Sequence, residues 1–267
     1  MRPRTDLKGK VAVMIGGASG IGLALASRAA EQGMKVVLAD GEECLLAAAL
    51  EQVKAKDVGA ITIRTDIADA DAVRTLARRI EAELGPPWLV CNNSGLSQLG
   101  PDRKLTPEHL KWSIGMNLWG VINGVQVFTP GMVERDAGHI VNIASTDLFG
   151  APGAAPYVAT THAIVGLSES LYRELDAVGS QVGVTVVCPA LVNTSVAIAS
   201  HDRPAAHKAG RGVHSGPPPL VREAPPNVLP AEEFAEQIFA AVTWRRFWLF
   251  PYAPPTGEPP GIRPVTH

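Results

Sequence analysis

The chain has no long apolar run. Nothing in its 267 residues approaches the ~18 consecutive apolar residues that a bilayer-spanning helix needs. It has no excess of charge, with 24 Lys and Arg against 26 Asp and Glu and a net charge of −2. That balance removes the electrostatic case for nucleic acid or a membrane surface as a partner. Cysteine is scarce: Cys44, Cys91 and Cys188 show neither metal-ligand nor redox spacing. Cys91 and Cys188 each close a predicted buried strand and read as inert core thiols. There is no internal repeat. The segment 1–10 is polar and the first apolar run is short, so no secretory leader is expected and a cytoplasmic protein is the reading.

What is present starts with Val11 to Gly22, V-A-V-M-I-G-G-A-S-G-I-G. The apolar run at its head has the length and composition of a buried parallel strand. Glycines follow at 16, 17, 20 and 22, and then a run of good helix formers up to Gly33. A strand, a tight glycine turn and a helix N-terminus suit a pyrophosphate, because unpaired N–H groups and a partial positive charge meet there. The spacing is G-x-x-x-G-x-G, at Gly16, Gly20 and Gly22. Dinucleotide binding is the functional reading, and a plain tight βα turn is the structural one.

A hydrophobic fraction of 46% suffices for a sizeable core, and the length suits one large α/β domain over 1–267. Strand and helix patterns alternate. Strands are expected at 11–15, 35–39, 60–64, 88–91, 139–144, within 181–188 and near 247–250. Helices are expected over 42–54, from Asp69 as N-cap to about 84, over 106–134 with a kink at Pro130, and over 156–178 and 230–244. The stretch 199–227 is rich in Pro, Gly, His and Ala and reads as an irregular loop or lid; 251–267 reads as a Pro-rich surface tail. This order predicts a doubly wound, Rossmann-like parallel sheet with helices on both faces. Ligands of such sheets bind beyond the carboxyl ends of the strands, where Gly16, Asp40, Asp66, Asn92, Ser145 and Pro189 fall.

Several of these side chains can carry chemistry. Asp40, directly after strand two, can accept hydrogen bonds from ribose hydroxyls and would repel a 2′-phosphate, or it can cap the next helix. No Arg or Lys lies in the glycine turn and Gly41 follows Asp40, which favours NAD over NADP. Asp66 can touch an adenine edge or cap a turn. Asn92 and Asn93 can supply fixed donors and acceptors or close Asx turns. Asn117 lies in an apolar helical stretch and must find partners, either as a helix-bending amide or in a proton relay. Ser145 follows strand five and Tyr157 opens the next helix, so a hydroxyl and a phenol can meet at one substrate oxygen as orienter and acid/base.

At these residues the chain resembles the short-chain dehydrogenase/reductase family, from about residue 8 to about 250. The family's T-G-x-x-x-G-x-G is met by Ile15-Gly16 through Gly22, and its N-N-A-G by Asn92-Asn93-Ser94-Gly95. Its helix Asn, catalytic Ser and catalytic Tyr fall on Asn117, Ser145 and Tyr157, and its P-G on Pro189-Ala190. The resemblance implies a nicotinamide cofactor held by Gly16, Ser19, Gly20, Ile21 and Gly22 at the turn. Asp40, Asp66 and Ile67 would line the adenosine. Asn93, Ser94, Gly95, Tyr157, Pro189, Val192 and Thr194 would lie toward the nicotinamide. It also implies a small-molecule alcohol or ketone substrate, a lid closing over it, and a homodimer or homotetramer built on the helices at 106–134 and 156–178.

The departures bear on activity. The family's Y-x-x-x-K reads Tyr157-Val158-Ala159-Thr160-Thr161 here, with Thr161 in the lysine's place. In the family that lysine binds the nicotinamide ribose, lowers the Tyr pKa and feeds a proton relay through the helix Asn. An unassisted phenol near pKa ~10 is ionised to only about one part in a thousand at neutral pH. Alcohol oxidation should suffer most and carbonyl reduction less. His162 is adjacent, but a helix brings positions four apart, not five, onto one face. Lys104, Lys111 or Lys208 would have to enter from elsewhere. Ile15, Ser94 and Ala190 also replace the family's Thr, Ala and Gly. Two functions follow. One is an NAD-dependent oxidoreductase of impaired or altered activity. The other is a non-redox protein on the same scaffold: a cyclase, isomerase or dehydratase, or an NAD-binding regulatory module.

Overall fold

Val11–Ile15 form β1, and all five residues are buried. A strand buried on both faces must be apolar throughout, which is why this segment does not alternate. The computed structural model describes residues 6–93, 105–145, 154–189 and 229–250. The predicted lid 199–227, the tail 251–267 and the site residues Ser94, Gly95, Val192 and Thr194 lie outside the described residues.

Six further strands follow: β2 Lys35–Asp40, β3 Ala60–Arg64, β4 Pro87–Asn92, β5 His139–Ile143, β6 Gly183–Val187 and β7 Trp248–Leu249. They form one parallel sheet in the order β3-β2-β1-β4-β5-β6-β7. The order reverses between β1 and β4, so a crevice opens at their carboxyl ends.

The helices are α1 Gly20–Glu31, α2 Glu43–Lys54, α3 Ala70–Glu83, α4 Pro107–Ser113, α5 Gly120–Glu134, α6 Ala155–Ala177 and α7 Ala231–Trp244. Two apolar cores sandwich the sheet. On one face Met14, Leu38, Leu89 and Val141 meet Leu25 of α1, Leu46 of α2 and Phe234 of α7. On the other, Val13, Val37, Val90 and Ile140 meet Leu76 of α3, Phe128 of α5 and Ile164 of α6. Alternate residues of each strand point to opposite faces, so neighbours such as Val13 and Met14 serve different cores. As expected, Asp69 caps α3, accepting from the N–H groups of Asp71 at 2.8 Å and Ala72 at 3.4 Å.

The single helix expected over 106–134 needs correction. Between α4 and α5, Ile114–Trp119 is a π-helical segment. Pro130 sits inside α5 without ending it. A π turn bonds i to i+5 and so admits extra residues into the helix; such turns often mark functional sites. Asn117 lies within this one, with only 1% of its surface exposed.

Candidate cofactor and active site

The glycine turn sits on the switch point. Gly16 has φ +71°, a conformation that L side chains rarely adopt, and a Cβ there would overlap the carbonyl oxygen of Asn93. A Cβ on Gly22 would overlap the carbonyl oxygen of Gly16. Asn93 ties the ends of β1 and β4 together. Its backbone N–H donates to Ile15 O and its Nδ2 to Gly16 O, both at 3.1 Å. Ser19 precedes α1 in an extended conformation, and its side chain makes no cap bond. No acid lies in the first turn of α1. No acid of α1 itself therefore offsets its positive end, and Asp40 meets the turn at the Ala18 N–H. The side chain of Ile21 is buried in the core beneath.

Asp40 is half-buried at the end of β2. Its Oδ2 accepts from the Ala18 N–H in the glycine turn and its Oδ1 from the Glu42 N–H, both at 3.2 Å. The acid therefore braces the turn and caps the following bend, and each oxygen keeps a lone pair for a further donor. Asp66 is exposed and accepts from the Ala68 N–H at 3.0 Å, the turn-closing arrangement. Ile67 is buried and its carbonyl accepts from Asn123 Nδ2 at 2.9 Å, which fastens the end of β3 to α5.

Other candidate residues lie at the same end of the sheet. Ser145 is buried just beyond β5, and Pro189 is buried just beyond β6. Tyr157 is half-buried in the first turn of α6, and α6 packs directly on the π segment that holds Asn117. Asn117 Nδ2 donates to Ser113 Oγ at 3.3 Å. Thr161 is only 2% exposed, and its hydroxyl donates back to Val158 O at 2.9 Å. Thr160 does the same to Tyr157 O at 2.8 Å. Thr161 therefore satisfies its hydroxyl within its own helix. His162 is exposed and bonded to Val158 O, and Lys111 is exposed on α4. Lys104 and Lys208 lie outside the described residues.

A buried polar chain runs underneath. Asn92 Nδ2 donates to Asn142 Oδ1 at 2.7 Å, Asn142 Nδ2 to Ser168 Oγ at 2.9 Å, and Ser168 Oγ to Ile164 O at 2.7 Å. It joins β4, β5 and α6, the elements that lead to Asn93, Ser145 and Tyr157. Gly124 of α5 closes against it, since a Cβ there would overlap Asn92 Oδ1. The sequence drew attention to Asn92 but not to Asn142 or Ser168. Two cysteines are excluded as nucleophiles: burial raises the Cys91 thiol, and pushes the Cys188 thiol up to about 12.

A glycine turn at the switch point of a doubly wound sheet, followed by an acid at the end of β2, defines a dinucleotide-binding class of protein. The short-chain dehydrogenase sequence profile matches residues 10–204, and the chain belongs to that family. It is 36% identical over 203 residues to the C alpha-dehydrogenase of Sphingobium sp. strain SYK-6, covering 75% of this chain and 66% of that protein. It is 32% identical over 195 residues to the 3-oxoacyl-[acyl-carrier-protein] reductase FabG of Staphylococcus aureus, covering 72% and 78%. The chain spans about two thirds of the first of these relatives and 33% of EphD from Mycobacterium tuberculosis, to which it is 34% identical. A short-chain dehydrogenase/reductase of Burkholderia phymatum, solved in complex with NAD, superposes with a TM-score of 0.84 at 35% identity, covering 92% and 90% of the two chains. Among the described residues, no helix is long and apolar enough to cross a membrane.

Proposed function

We propose that this chain is a nicotinamide-dependent oxidoreductase that takes NAD and interconverts a small-molecule alcohol and its carbonyl, with weakened base catalysis. The observation that carries the reading is the glycine turn at the sheet's switch point, with the candidate catalytic residues at the same end of the sheet. Ser145 lies beyond β5 and Tyr157 opens the helix that packs on the Asn117 segment. The turn suits a dinucleotide because Gly16 and Gly22 leave no room for Cβ atoms and bring bare backbone to the crevice.

When bound, the nicotinamide supplies or accepts the hydride. Ser145 donates a hydrogen bond to the substrate oxygen and holds it. Tyr157 gives its phenolic proton to that oxygen in reduction and takes it back in oxidation. Asn117 fixes the far side of a proton path into the buried π segment. With Thr161 in place of the family's Lys, Tyr157 has no cation four residues on in its helix. Reduction uses the neutral phenol and suffers less; oxidation needs the phenolate and is slow and alkaline-shifted. NAD is favoured by Asp40, whose carboxylate would accept from ribose hydroxyls and repel added phosphate.

Reduced-nicotinamide absorbance with a panel of secondary alcohols and ketones tests this reading. Turnover that is lost in Tyr157→Phe supports it. Silence across the panel, with NAD still bound by calorimetry, assigns the scaffold to a non-redox cyclase, isomerase, dehydratase or NAD-binding regulator. That second reading is favoured by the Thr161 hydroxyl, which is bonded to Val158 O rather than offered to a cofactor.

A further inference from the structure

Arg64 ends β3, and its Cα partner in the sheet register is Asp40. Partnered residues on neighbouring parallel strands project to the same face, so the two side chains leave the sheet on one face at the carboxyl ends of β2 and β3. Arg64 is exposed, and its Nε donates to the carbonyl of Gly41, the residue after Asp40, at 3.3 Å. That bond anchors the guanidinium over the 41 turn. Among the described residues Arg64 belongs to no ion pair, whereas Arg28, Arg74 and Arg79 are each matched to a carboxylate. Its two Nη groups form a fork with no hydrogen-bond partner among the described residues.

The carboxylate beside it is partly compensated. Asp40 accepts one backbone N–H on each oxygen, from Ala18 and from Glu42. In a doubly wound sheet the acid at this strand end meets the ribose 2′-hydroxyl, and a nearby arginine accommodates a 2′-phosphate. A forked guanidinium is suited to a phosphate dianion, because its N–H groups pair with two oxygens at once. The sequence places no basic residue in the glycine turn or directly after Asp40. The sheet register brings one in from the neighbouring strand.

Resting on the dinucleotide reading above, we propose that Arg64 is a specificity-determining residue: it admits the adenosine 2′-phosphate beside Asp40, so that the site takes NADP(H) as well as NAD(H). Glu42 and Glu43 are exposed on the same bend and oppose added phosphate. NAD(H) therefore remains the tighter ligand, and the phosphate is tolerated rather than preferred.

The test is calorimetric titration of the full chain with NADH and NADPH, in the wild type, Arg64→Gln and Asp40→Asn. The wild type is expected to bind both, NADPH about tenfold more weakly. Arg64→Gln is expected to weaken NADPH by a further factor of about ten and NADH by less than about twofold, with the unchanged NADH affinity reporting an intact fold. Asp40→Asn is expected to tighten NADPH and weaken NADH. NADPH affinity equal in wild type and Arg64→Gln, or NADH binding with no NADPH binding, overturns the role of Arg64 and leaves the dinucleotide reading standing. Failure of NADH itself to bind the wild type overturns both.

Discussion

Thr161 presents a buried hydroxyl bonded to Val158 O, where a lysine would present a cation on a long stem. A positive charge a few ångströms from a phenol favours phenolate. Thr161→Lys should therefore raise the rate of alcohol oxidation by at least about tenfold and move its pH profile toward neutrality, with a smaller effect on carbonyl reduction. Initial rates in both directions against pH check this; unchanged profiles would show that Thr161 is not where the missing charge belongs. Gly22 makes a sharper case at the turn. Its Cα lies so close to Gly16 O that any Cβ displaces that carbonyl. Gly22→Ala should weaken NADH by at least about tenfold in calorimetry while the circular dichroism spectrum is kept. The face on which Thr161 lies was legible, because four positions bring it under Tyr157. Its hydroxyl's destination was not, because Thr in a helix can bond back to its own turn or outward, and only packing decides between them.

At the scale of elements, β5 carries a second charged-group problem. His139 is fully buried at its start, with its Nε2 2.8 Å from Thr185 Oγ1 of β6. Burial, aided by the charge of Arg245, lowers its pKa to about 3. The unfolded chain protonates near 6.5. A folded value below the unfolded one means that the contribution to stability is whole above about pH 6.5 and is lost as pH falls toward the folded value. Between about pH 7.5 and about pH 5.5 the unfolding free energy should drop by about 1.4 kcal/mol from this group alone. Urea titrations at the two pH values measure the drop, and His139→Gln should flatten it; equal slopes for both proteins would remove His139 as the cause.

The strands of this molecule were legible because a parallel sheet covered on both faces must be apolar along its whole run. The helices were legible from their breaks, such as Gly33 and Gly85-Pro86-Pro87. The π segment was not. Switching from i+4 to i+5 bonding changes the backbone but leaves the composition of Ile114–Trp119 ordinary. The Asn142–Ser168 bond was equally hidden, because its partners are 26 residues apart and meet only when α6 folds back across β5. The Asp40–Arg64 pairing depends in the same way on register.

For the whole molecule, the order β3-β2-β1-β4-β5-β6-β7 gathers the glycine turn, Asp40, Asn93 and Ser145 at one end of the sheet. The opposite end holds the buried His139 and, among the described residues, none of the candidate site. Leu110 on α4, Trp119 at the end of the π segment and Tyr172 on α6 are 40%, 50% and 41% exposed. Large apolar side chains left open on these helical segments suit a partner surface. We expect a homodimer or homotetramer by light scattering, and a smaller species in Trp119→Glu; a wild-type monomer at micromolar concentration would contradict the expectation.

The central claim is that a phenol at the head of α6 exchanges a proton with the oxygen whose carbon exchanges a hydride with a nicotinamide held on the glycine turn. The most direct measurement is NADH oxidation against a ketone panel, followed by reduced-nicotinamide absorbance, in wild type and Tyr157→Phe at matched cofactor saturation. Turnover is expected in the wild type, with a fall of at least about a hundredfold in Tyr157→Phe and NADH affinity within about twofold. Equal turnover in the two proteins would contradict it.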